Sequence, residues 1–289
     1  MTKLSQVQPA SNTELTPDEK GEIVGMASLS NLAYLKEDQM TKLLEKRTEH
    51  ENCTVFNCKV FAAKSMENPE LEPEEMKHFC CEGVLQSVSK VRFFEGKDEQ
   101  KKTTGAACYG GEYNGNTFIS FRGTEDITDW KANLKDNRVD YWSPLKGVLK
   151  LHGKKEPDND NCQIHEGFRG QFTNLVDQLS KYLVELKQRP SNLYLTGHSL
   201  GGALASVSSL FFSHLLPKCN IRIITFGAPR SVTDGYVKAL NERRNVIASF
   251  RFQADYDIVP IKNYEILRHI NGGGKRKDNT IPPGEFTIR

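Results

Sequence analysis

The sequence predicts an α/β fold in which a mostly parallel sheet has helices on both faces. Between residues 192 and 252, short apolar runs with strand composition alternate with helical patterns. This alternation is typical of parallel sheets covered by helices. Ser199, Gly227 and Asp257 each follow one of the predicted strands. Ligands of such sheets bind beyond the carboxyl ends of the strands, so we expect a functional site at this edge.

A Gly-x-Ser-x-Gly segment at residues 197–201 is the strongest local motif. It lies between an apolar strand pattern at 192–195 and a helix of small and apolar residues. This context is typical of a nucleophile elbow, where a serine stands on a strained turn and a β-carbon on Gly197 or Gly201 would strike the helix or the strand. We therefore predict an α/β-hydrolase with Ser199 as nucleophile. A glycine-rich turn with an incidental serine is the alternative.

The composition limits the possible functions. Lys and Arg number 39 against 37 for Asp and Glu, a net charge of +2, which gives no electrostatic case for a nucleic-acid partner. Residues 1–30 lack the apolar segment of a signal peptide, and no apolar run reaches the roughly 18 residues of a membrane span. We expect a cytoplasmic protein, although signal-independent export would leave the same pattern. With seven cysteines, at least one thiol is free or pairs between chains, and their spacing favours reduced thiols over a metal site.

The first third of the chain is only partly interpretable. Residues 1–15 are polar and expected to be disordered, and residues 16–289 are predicted to form one domain. Thr16, Pro17 and Glu19 form a capping box with proline at the first helical position, which predicts one helix extending to about residue 46. Residues 48–100 form a variable segment with a candidate strand at 55–63. This segment is either an insertion or the variable first third of the fold.

The middle of the chain gives clearer signals. Two strand-like runs at 105–109 and 117–121 flank Asn114-Gly115, which predicts a β-hairpin. Residues 143–161 have the composition of an exposed loop. An amphipathic helix is predicted over residues 170–189, and Pro190 ends it. Further strands are predicted at 221–226 and 246–252.

The order of catalytic residues in α/β-hydrolases, Ser then acid then His, limits the search for a base. The histidines after Ser199 are His214 and His269. His214 falls about four turns along the helix that follows the elbow, far from the serine. His269 is therefore the candidate base, which would accept the Ser199 proton and return it to the leaving group.

Three aspartates are candidates for the acid: Asp234, Asp255 and Asp257. Asp257 is favoured because the apolar segment 258–260 that follows it would bury its carboxylate against an imidazole. Its role would be to hold the His269 tautomer and stabilise the imidazolium. Asp255 is the reserve candidate, and Asp234 has the position of an ordinary loop residue.

The oxyanion of an acyl-transfer intermediate needs two donors. The backbone N–H of Leu200 directly follows the nucleophile and is the first candidate. The second must come from the loop at an earlier strand end, for which Gly123-Thr124 is the best candidate, with the Thr124 hydroxyl as a third donor. A simple strand-ending glycine is the alternative interpretation.

Five segments together give the chain a family resemblance. They occur at residues 121–124, 164–168, 197–203, 226–230 and 257–260. With them, roughly residues 105–269 resemble the class 3 (fungal-type) triacylglycerol lipases. The resemblance implies an esterase acting on acylglycerols or phospholipids without metal or organic cofactor. It also implies Ser199 as nucleophile, Asp257 as acid and the N–H groups of Thr124 and Leu200 as oxyanion hole, and His165 is similar to the family's structural histidine.

The resemblance further implies that the residues after Thr124 form a lid. Ile127, Trp130 and Leu134 have the spacing of one face of a short helix, which would cover Ser199 when closed and meet lipid when open. A core-packed helix is the alternative. The expected partners are therefore a lipid or ester substrate and, transiently, a membrane or lipid-droplet surface, to which the basic segment 272–277 would add a weak attraction.

One departure from the family pattern leaves a second function open. In many relatives the catalytic histidine lies well beyond the acid, whereas His269 follows Asp257 by only twelve residues. If His269 is not the base, the chain is a non-catalytic lipase-like interaction module. The intact elbow favours a serine lipase or esterase that works through an acyl-enzyme, and acyl transfer by the same triad would leave the same sequence pattern.

Overall fold

The computed structural model describes residues 17–46, 82–98, 100–123, 137–157, 161–254 and 286–288. The helices in these ranges are α1 (Pro17–Leu32), α2 (Glu37–Lys46), α3 (Glu82–Ser87), α4 (Lys146–Leu151), α5 (Glu166–Glu185), α6 (Leu200–Leu215) and α7 (Asp234–Asn241). The strands are β1 (Val88–Lys97), β2 (Thr103–Tyr113), β3 (Asn116–Phe121), β4 (Arg138–Asp140), β5 (Gln163–His165), β6 (Asn192–His198), β7 (Asn220–Phe226), β8 (Val246–Ala254) and β9 (Phe286–Ile288).

The centre of the molecule is a seven-stranded sheet in the order β1-β2-β3-β6-β7-β8-β9. The first three strands are antiparallel, and β3, β6, β7, β8 and β9 run parallel to one another. β4 and β5 form a separate antiparallel pair. The mostly parallel sheet confirms the predicted fold class.

Helices cover the two faces of this sheet and create two separate cores. We call the side covered by α5 and α6 the elbow face, and the side covered by α1 the α1 face. The core of the elbow face includes most of α6, which is buried along nearly its whole length. The core of the α1 face combines α1, α3 and the opposite side chains of the strands. Within the described ranges, no helix is both long and apolar enough to span a membrane.

The predicted hairpin is present between β2 and β3. Asn114 and Gly115 both have positive φ, 48° and 73°. Positive φ at both central residues is the requirement of a type I′ turn, whose twist matches that of the flanking strands. The antiparallel register pairs Tyr113 with Asn116. The local turn chemistry thus fixes how β3 is delivered to the centre of the sheet.

The prediction of one helix up to residue 46 is wrong, because α1 ends at Leu32 and α2 begins at Glu37. Between them the Leu35 carbonyl accepts a hydrogen bond of 2.9 Å from the Tyr109 hydroxyl. The Lys36 N–H donates to Gln39 Oε1 at 2.9 Å. The two backbone groups therefore bond to side chains and not to the backbone of a continuous helix. The bond to the Leu35 carbonyl comes from β2, which is distant in sequence.

Three other expectations need correction or stay open. Residues 143–161 are not simply an exposed loop, because they contain α4, and Leu145 and Leu149 are buried in the core. β1 was not predicted, since its register shifts and the positive φ of Lys90 break the alternation of its side chains. The candidate strand at 55–63 and residues 1–15 lie outside the described residues, so the domain boundaries stay a prediction.

Two buried tyrosines interrupt the hydrogen-bond ladder of α6. The Tyr141 hydroxyl donates to the Val207 carbonyl at 2.7 Å and accepts from the Phe211 N–H at 3.1 Å. The Tyr236 hydroxyl does the same between the Ser206 carbonyl, at 2.9 Å, and the Leu210 N–H, at 3.2 Å. Side chains inserted in this way are a known cause of helix bending. They also anchor α6 to both neighbouring segments of the elbow face.

Candidate active site

The carboxyl ends of the central strands meet at one edge of the sheet. In the parallel register, Phe121 of β3 pairs with Gly197 of β6, and His198 pairs with Phe226 of β7. β8 continues the same register, since Phe226 pairs with Phe252. The residues that directly follow these strands, among them Ser199, are therefore brought together from distant parts of the sequence.

The strand–turn–helix geometry predicted for residues 197–201 is present. Ser199 has φ 53° and ψ −123°, a conformation that a residue with a side chain rarely adopts. The Ser199 N–H donates to the Phe226 carbonyl at 2.9 Å, which holds the turn to the neighbouring strand. A β-carbon on Gly197 would overlap the Gly201 carbonyl carbon, and one on Gly201 would overlap the Phe121 carbonyl oxygen. Both glycines are therefore required by the close approach of α6 to β3 and β6.

The surroundings of Ser199 suit a nucleophile. Its side chain is 1% exposed, and among the described residues its hydroxyl has no hydrogen-bond partner. Ser199 is the N-cap residue of α6 but makes no side-chain cap. The N–H groups of the first helical turn, including that of Leu200, lack intrahelical partners and carry partial positive charge. A developing oxyanion next to Ser199 would be stabilised by these donors.

The loop after β3 approaches the elbow at Gly123. A β-carbon on Gly123 would overlap the Tyr34 hydroxyl and would lie 2.8 Å from the His198 carbonyl oxygen. The loop therefore contacts the residue that precedes the nucleophile. Thr124 and the lid candidates Ile127, Trp130 and Leu134 lie outside the described residues, so the second oxyanion donor and the lid stay predictions.

The predicted acid and base also stay predictions. Asp257, the reserve Asp255 and His269 all lie outside the described residues. β8 ends at Ala254, three residues before Asp257. β8 thus ends at the same edge of the sheet as β6, the strand that leads to Ser199, as the strand pattern indicated.

His214 and Asp234 occupy positions that suit structural roles. His214 lies fifteen residues after Ser199, which is about 22 Å along the axis of α6. Its ring packs edge-on against the Trp142 ring, with 5.0 Å between the two ring centroids. Burial, with Arg243 adding to the effect, lowers the pKa of His214 to about 4, so the ring is neutral at pH 7. Asp234 is exposed in the first turn of α7, where a carboxylate favours a helix N-terminus.

His165 caps a helix. Its Nδ1 accepts a hydrogen bond of 3.1 Å from the Gly167 N–H at the start of α5, which places the proton of a neutral ring on Nε2. The ring is 3% exposed, and the His165 N–H donates to the Ser231 carbonyl at 3.2 Å. This supports the structural role that the resemblance implies. It also explains why α5 begins at Glu166, four residues before the predicted start.

Two residues near the site were not identified as important from the sequence. The Tyr34 hydroxyl lies 2.9 Å from His198 Nδ1. Arg251 is 3% exposed and donates through Nη2 to the Ala228 carbonyl at 3.0 Å, which holds the loop after β7. The sequence did contain a signal for Arg251, since a charged residue within an apolar strand pattern is unusual. It contained no such signal for Tyr34, because this residue fitted the helical pattern as an ordinary core residue.

The described cysteines agree with the expected reduced thiols. Cys108 and Cys219 are buried free thiols, and Cys162 is buried as well. Burial raises the pKa of the Cys108 thiol, and it raises that of Cys219 to about 12. The Cys108 and Cys219 thiols are therefore protonated at neutral pH and act as small core residues.

Comparisons with known proteins agree with this geometry. A family model described as Lipase (class 3) matches residues 118–265, a span that includes Ser199 and Asp257 and ends before His269. A secreted mono- and diacylglycerol lipase of Gibberella zeae is 33% identical over 135 residues, which are 43% of this chain and 32% of that protein. A chloroplastic phospholipase A(1) of Arabidopsis thaliana is 26% identical over 121 residues, 39% of this chain and 26% of that protein. The matched part is thus about a third or less of these relatives.

The fold has counterparts among solved structures. The native propeptide complex of the Rhizomucor miehei lipase aligns with a TM-score of 0.56 and 18% identity, over 93% of this chain and 75% of that chain. At this identity the likeness shows the fold, and it confirms the α/β-hydrolase architecture. The family model covers just over half of the chain and contains all five segments that carry the resemblance. The chain therefore belongs to the class 3 lipase family.

Proposed function

We propose that the protein is a serine ester hydrolase that cleaves carboxylic esters of acylglycerols or phospholipids. The observation that carries the proposal is Ser199, buried on a strained turn at the N-terminus of α6. A backbone strained in this way persists only where the surrounding structure enforces it, and such strain clusters at functional sites. Family membership supports the same reaction class.

In the proposed reaction Ser199 Oγ attacks the ester carbonyl. His269 accepts its proton and later protonates the leaving alcohol, while Asp257 orients the imidazole. The N–H groups of Leu200 and Thr124 stabilise the tetrahedral oxyanion. Water then attacks the acyl-enzyme through the same base, which releases the acid and restores Ser199.

The substrate class is proposed from two lines of support. The Gibberella relative is named for mono- and diacylglycerols and the Arabidopsis relative for phospholipids, and both substrates present a fatty acyl ester. The spacing of Ile127, Trp130 and Leu134 supports an apolar lid that opens on a lipid surface. The proposed partner is therefore a lipid aggregate, which the protein contacts transiently.

The test is covalent labelling combined with hydrolysis. Wild type, Ser199→Ala and the matched control Ser206→Ala are incubated with a fluorophosphonate probe, and the labelled peptide is identified by mass spectrometry. Ser206 lies on the same helix, where its hydroxyl only donates to the Gly202 carbonyl. We expect labelling of Ser199 in wild type and in Ser206→Ala. The rate on a short-chain chromogenic ester should fall by at least about 10³-fold in Ser199→Ala alone.

Further arms of this experiment sharpen the proposal. Rates with monoacylglycerol, triacylglycerol and phosphatidylcholine identify the head group, and a rise above the micelle-forming concentration supports the lid. Added glycerol measures the share of acyl transfer. His269→Ala tests the base, since a near wild-type rate would assign that role to another residue. Absence of both labelling and hydrolysis would contradict the proposal and favour a non-catalytic interaction module.

A further inference from the structure

The Tyr34 hydroxyl lies next to two segments that the proposed reaction needs. Its oxygen is 2.9 Å from Nδ1 of His198, and the two rings are 6.0 Å apart between centroids. A β-carbon on Gly123 would overlap the same hydroxyl. His198 directly precedes the nucleophile, and Gly123 directly precedes Thr124. One phenolic oxygen therefore contacts the neighbours of the nucleophile and of the proposed oxyanion donor.

The helix that precedes Tyr34, α1, is fixed to the two strands that lead to the site. Ser30 Oγ lies 2.8 Å from Thr196 Oγ1 of β6, and both residues are buried. Ser120 Oγ of β3 donates to the Leu29 carbonyl at 2.9 Å. Because both contacts fall in the last turns of α1, the end of this helix keeps a constant position relative to β3 and β6.

The turn after α1 fixes Tyr34 from its other side. The Tyr34 N–H donates to the Asn31 carbonyl at 3.1 Å, and the next carbonyl, that of Leu35, accepts from the Tyr109 hydroxyl at 2.9 Å. Tyr34 thus stands in a turn that is held by contacts at both of its ends. The position of its hydroxyl is set before any substrate binds.

Such a fixed oxygen has a chemical consequence at this place. Oxyanion donors accelerate acyl transfer only when they are aimed in advance at the position of the developing charge. Misplacement by about 1 Å can cost on the order of 100-fold in rate. A β-carbon on Gly123 would lie 2.8 Å from the His198 carbonyl oxygen, and the Tyr34 hydroxyl fills the space where that side chain would lie. The hydroxyl therefore restricts the positions that the Gly123 backbone can take beside His198.

We propose that Tyr34 is a positioning residue for the oxyanion hole. Its hydroxyl, hydrogen-bonded to His198 and packed against Gly123, sets the place of the Gly123 backbone relative to the residue that precedes Ser199. Tyr34 acts through His198 and Gly123 and not by contact with the substrate. This inference rests on the proposed ester hydrolysis and adds a residue that stabilises the transition state indirectly.

The test compares Tyr34→Phe with Tyr194→Phe. Each variant removes one phenolic hydroxyl on the α1 face, but the Tyr194 hydroxyl donates to Glu22 in the first half of α1 and not to the site. We expect kcat to fall about tenfold in Tyr34→Phe with KM unchanged, and the affinity for a boronic-acid transition-state analogue to fall by the same factor. Tyr194→Phe should stay within about twofold of wild type, at a similar loss of thermal stability.

Variants of His198 complete the experiment. Asn places a polar atom near the position of Nδ1, so His198→Asn should keep about fivefold more activity than His198→Leu. The double variant Tyr34→Phe/His198→Leu should be no slower than His198→Leu, since both changes remove one interaction. Equal kcat and equal boronate affinity in Tyr34→Phe and Tyr194→Phe would overturn the inference while leaving the proposed function intact. A wild type that neither hydrolyses esters nor reacts with fluorophosphonate would overturn both.

Discussion

Different interactions hold the helices against the sheet on the elbow face and on the α1 face. On the elbow face, α6 approaches the strands so closely that backbone meets backbone, as the overlap of a β-carbon on Gly201 with the Phe121 carbonyl shows. On the α1 face, polar side chains reach across long stretches of sequence. Tyr194 and Arg222 contact the Glu22 carboxylate at 2.8 and 3.2 Å.

The difference matters for the site because the two faces supply different parts of it. The elbow face supplies Ser199 and the helix N-terminus, whose geometry is enforced by steric limits that no side chain can relax. The α1 face supplies Tyr34, whose position depends on hydroxyl contacts that each contribute about 1 kcal/mol. We therefore expect the nucleophile to be far less tolerant of substitution than the loop that would complete the oxyanion hole.

The largest expected effect is that of Gly201→Ala. The new β-carbon would overlap the backbone of β3, so we expect a loss of about 3 kcal/mol in the free energy of unfolding, together with loss of activity. The matched control is Gly170→Ala on α5, where a β-carbon meets nothing within 4 Å and should stabilise by about 0.5–1 kcal/mol. Urea denaturation measures both. Equal stabilities would remove the steric explanation of the elbow face.

A middle-sized effect is expected for Tyr236→Phe. It removes hydrogen bonds to the Ser206 carbonyl and the Leu210 N–H in the buried interior of α6, so we expect a loss of about 1–3 kcal/mol. Tyr194→Phe on the α1 face removes one half-buried contact to Glu22 and should cost about 1 kcal/mol. If the tyrosine on the α1 face proves the more costly, the hydroxyl contacts of that face contribute more than about 1 kcal/mol each, and the comparison must be revised.

The smallest expected effect is that of Thr196→Val. This near-isosteric change removes the buried contacts to Ser30 and to the Met26 carbonyl and should cost about 1 kcal/mol. Ser28→Ala is the control, because its hydroxyl donates only to the Val24 carbonyl within the same helix and should be close to neutral. Thermal unfolding separates the two. A neutral Thr196→Val would mean that apolar packing alone holds α1 to the sheet.

Several features of the fold were predictable because their causes are local. The hairpin at Asn114-Gly115 depends on positive φ at two adjacent residues, and the elbow depends on glycines within five residues of sequence. The strands β6, β7 and β8 are apolar runs of the expected length. In each case the signal and the structure that it produces occupy the same short stretch of chain.

The features that were missed have distant causes. The break between α1 and α2 coincides with a hydrogen bond from Tyr109 to Leu35, which are separated by 74 residues. The burial of Leu149 in α4 and of Leu145 directly before it depends on the packing of this segment against the elbow face, although its composition is that of a loop. The periodicity of a sequence shows which residues are apolar. It does not show which backbone groups will form hydrogen bonds with another element of the fold.

The sequence by itself determined the fold class, the family resemblance and the place of Ser199, because short-range sterics and strand alternation are written in neighbouring residues. Only the tertiary structure decided that Tyr34 lies on His198 and Gly123 and that His214 packs neutral against Trp142. These contacts join residues that are far apart along the chain or depend on burial. Their energies arise only when the sheet brings its strand ends, and the helices on its faces, to fixed positions.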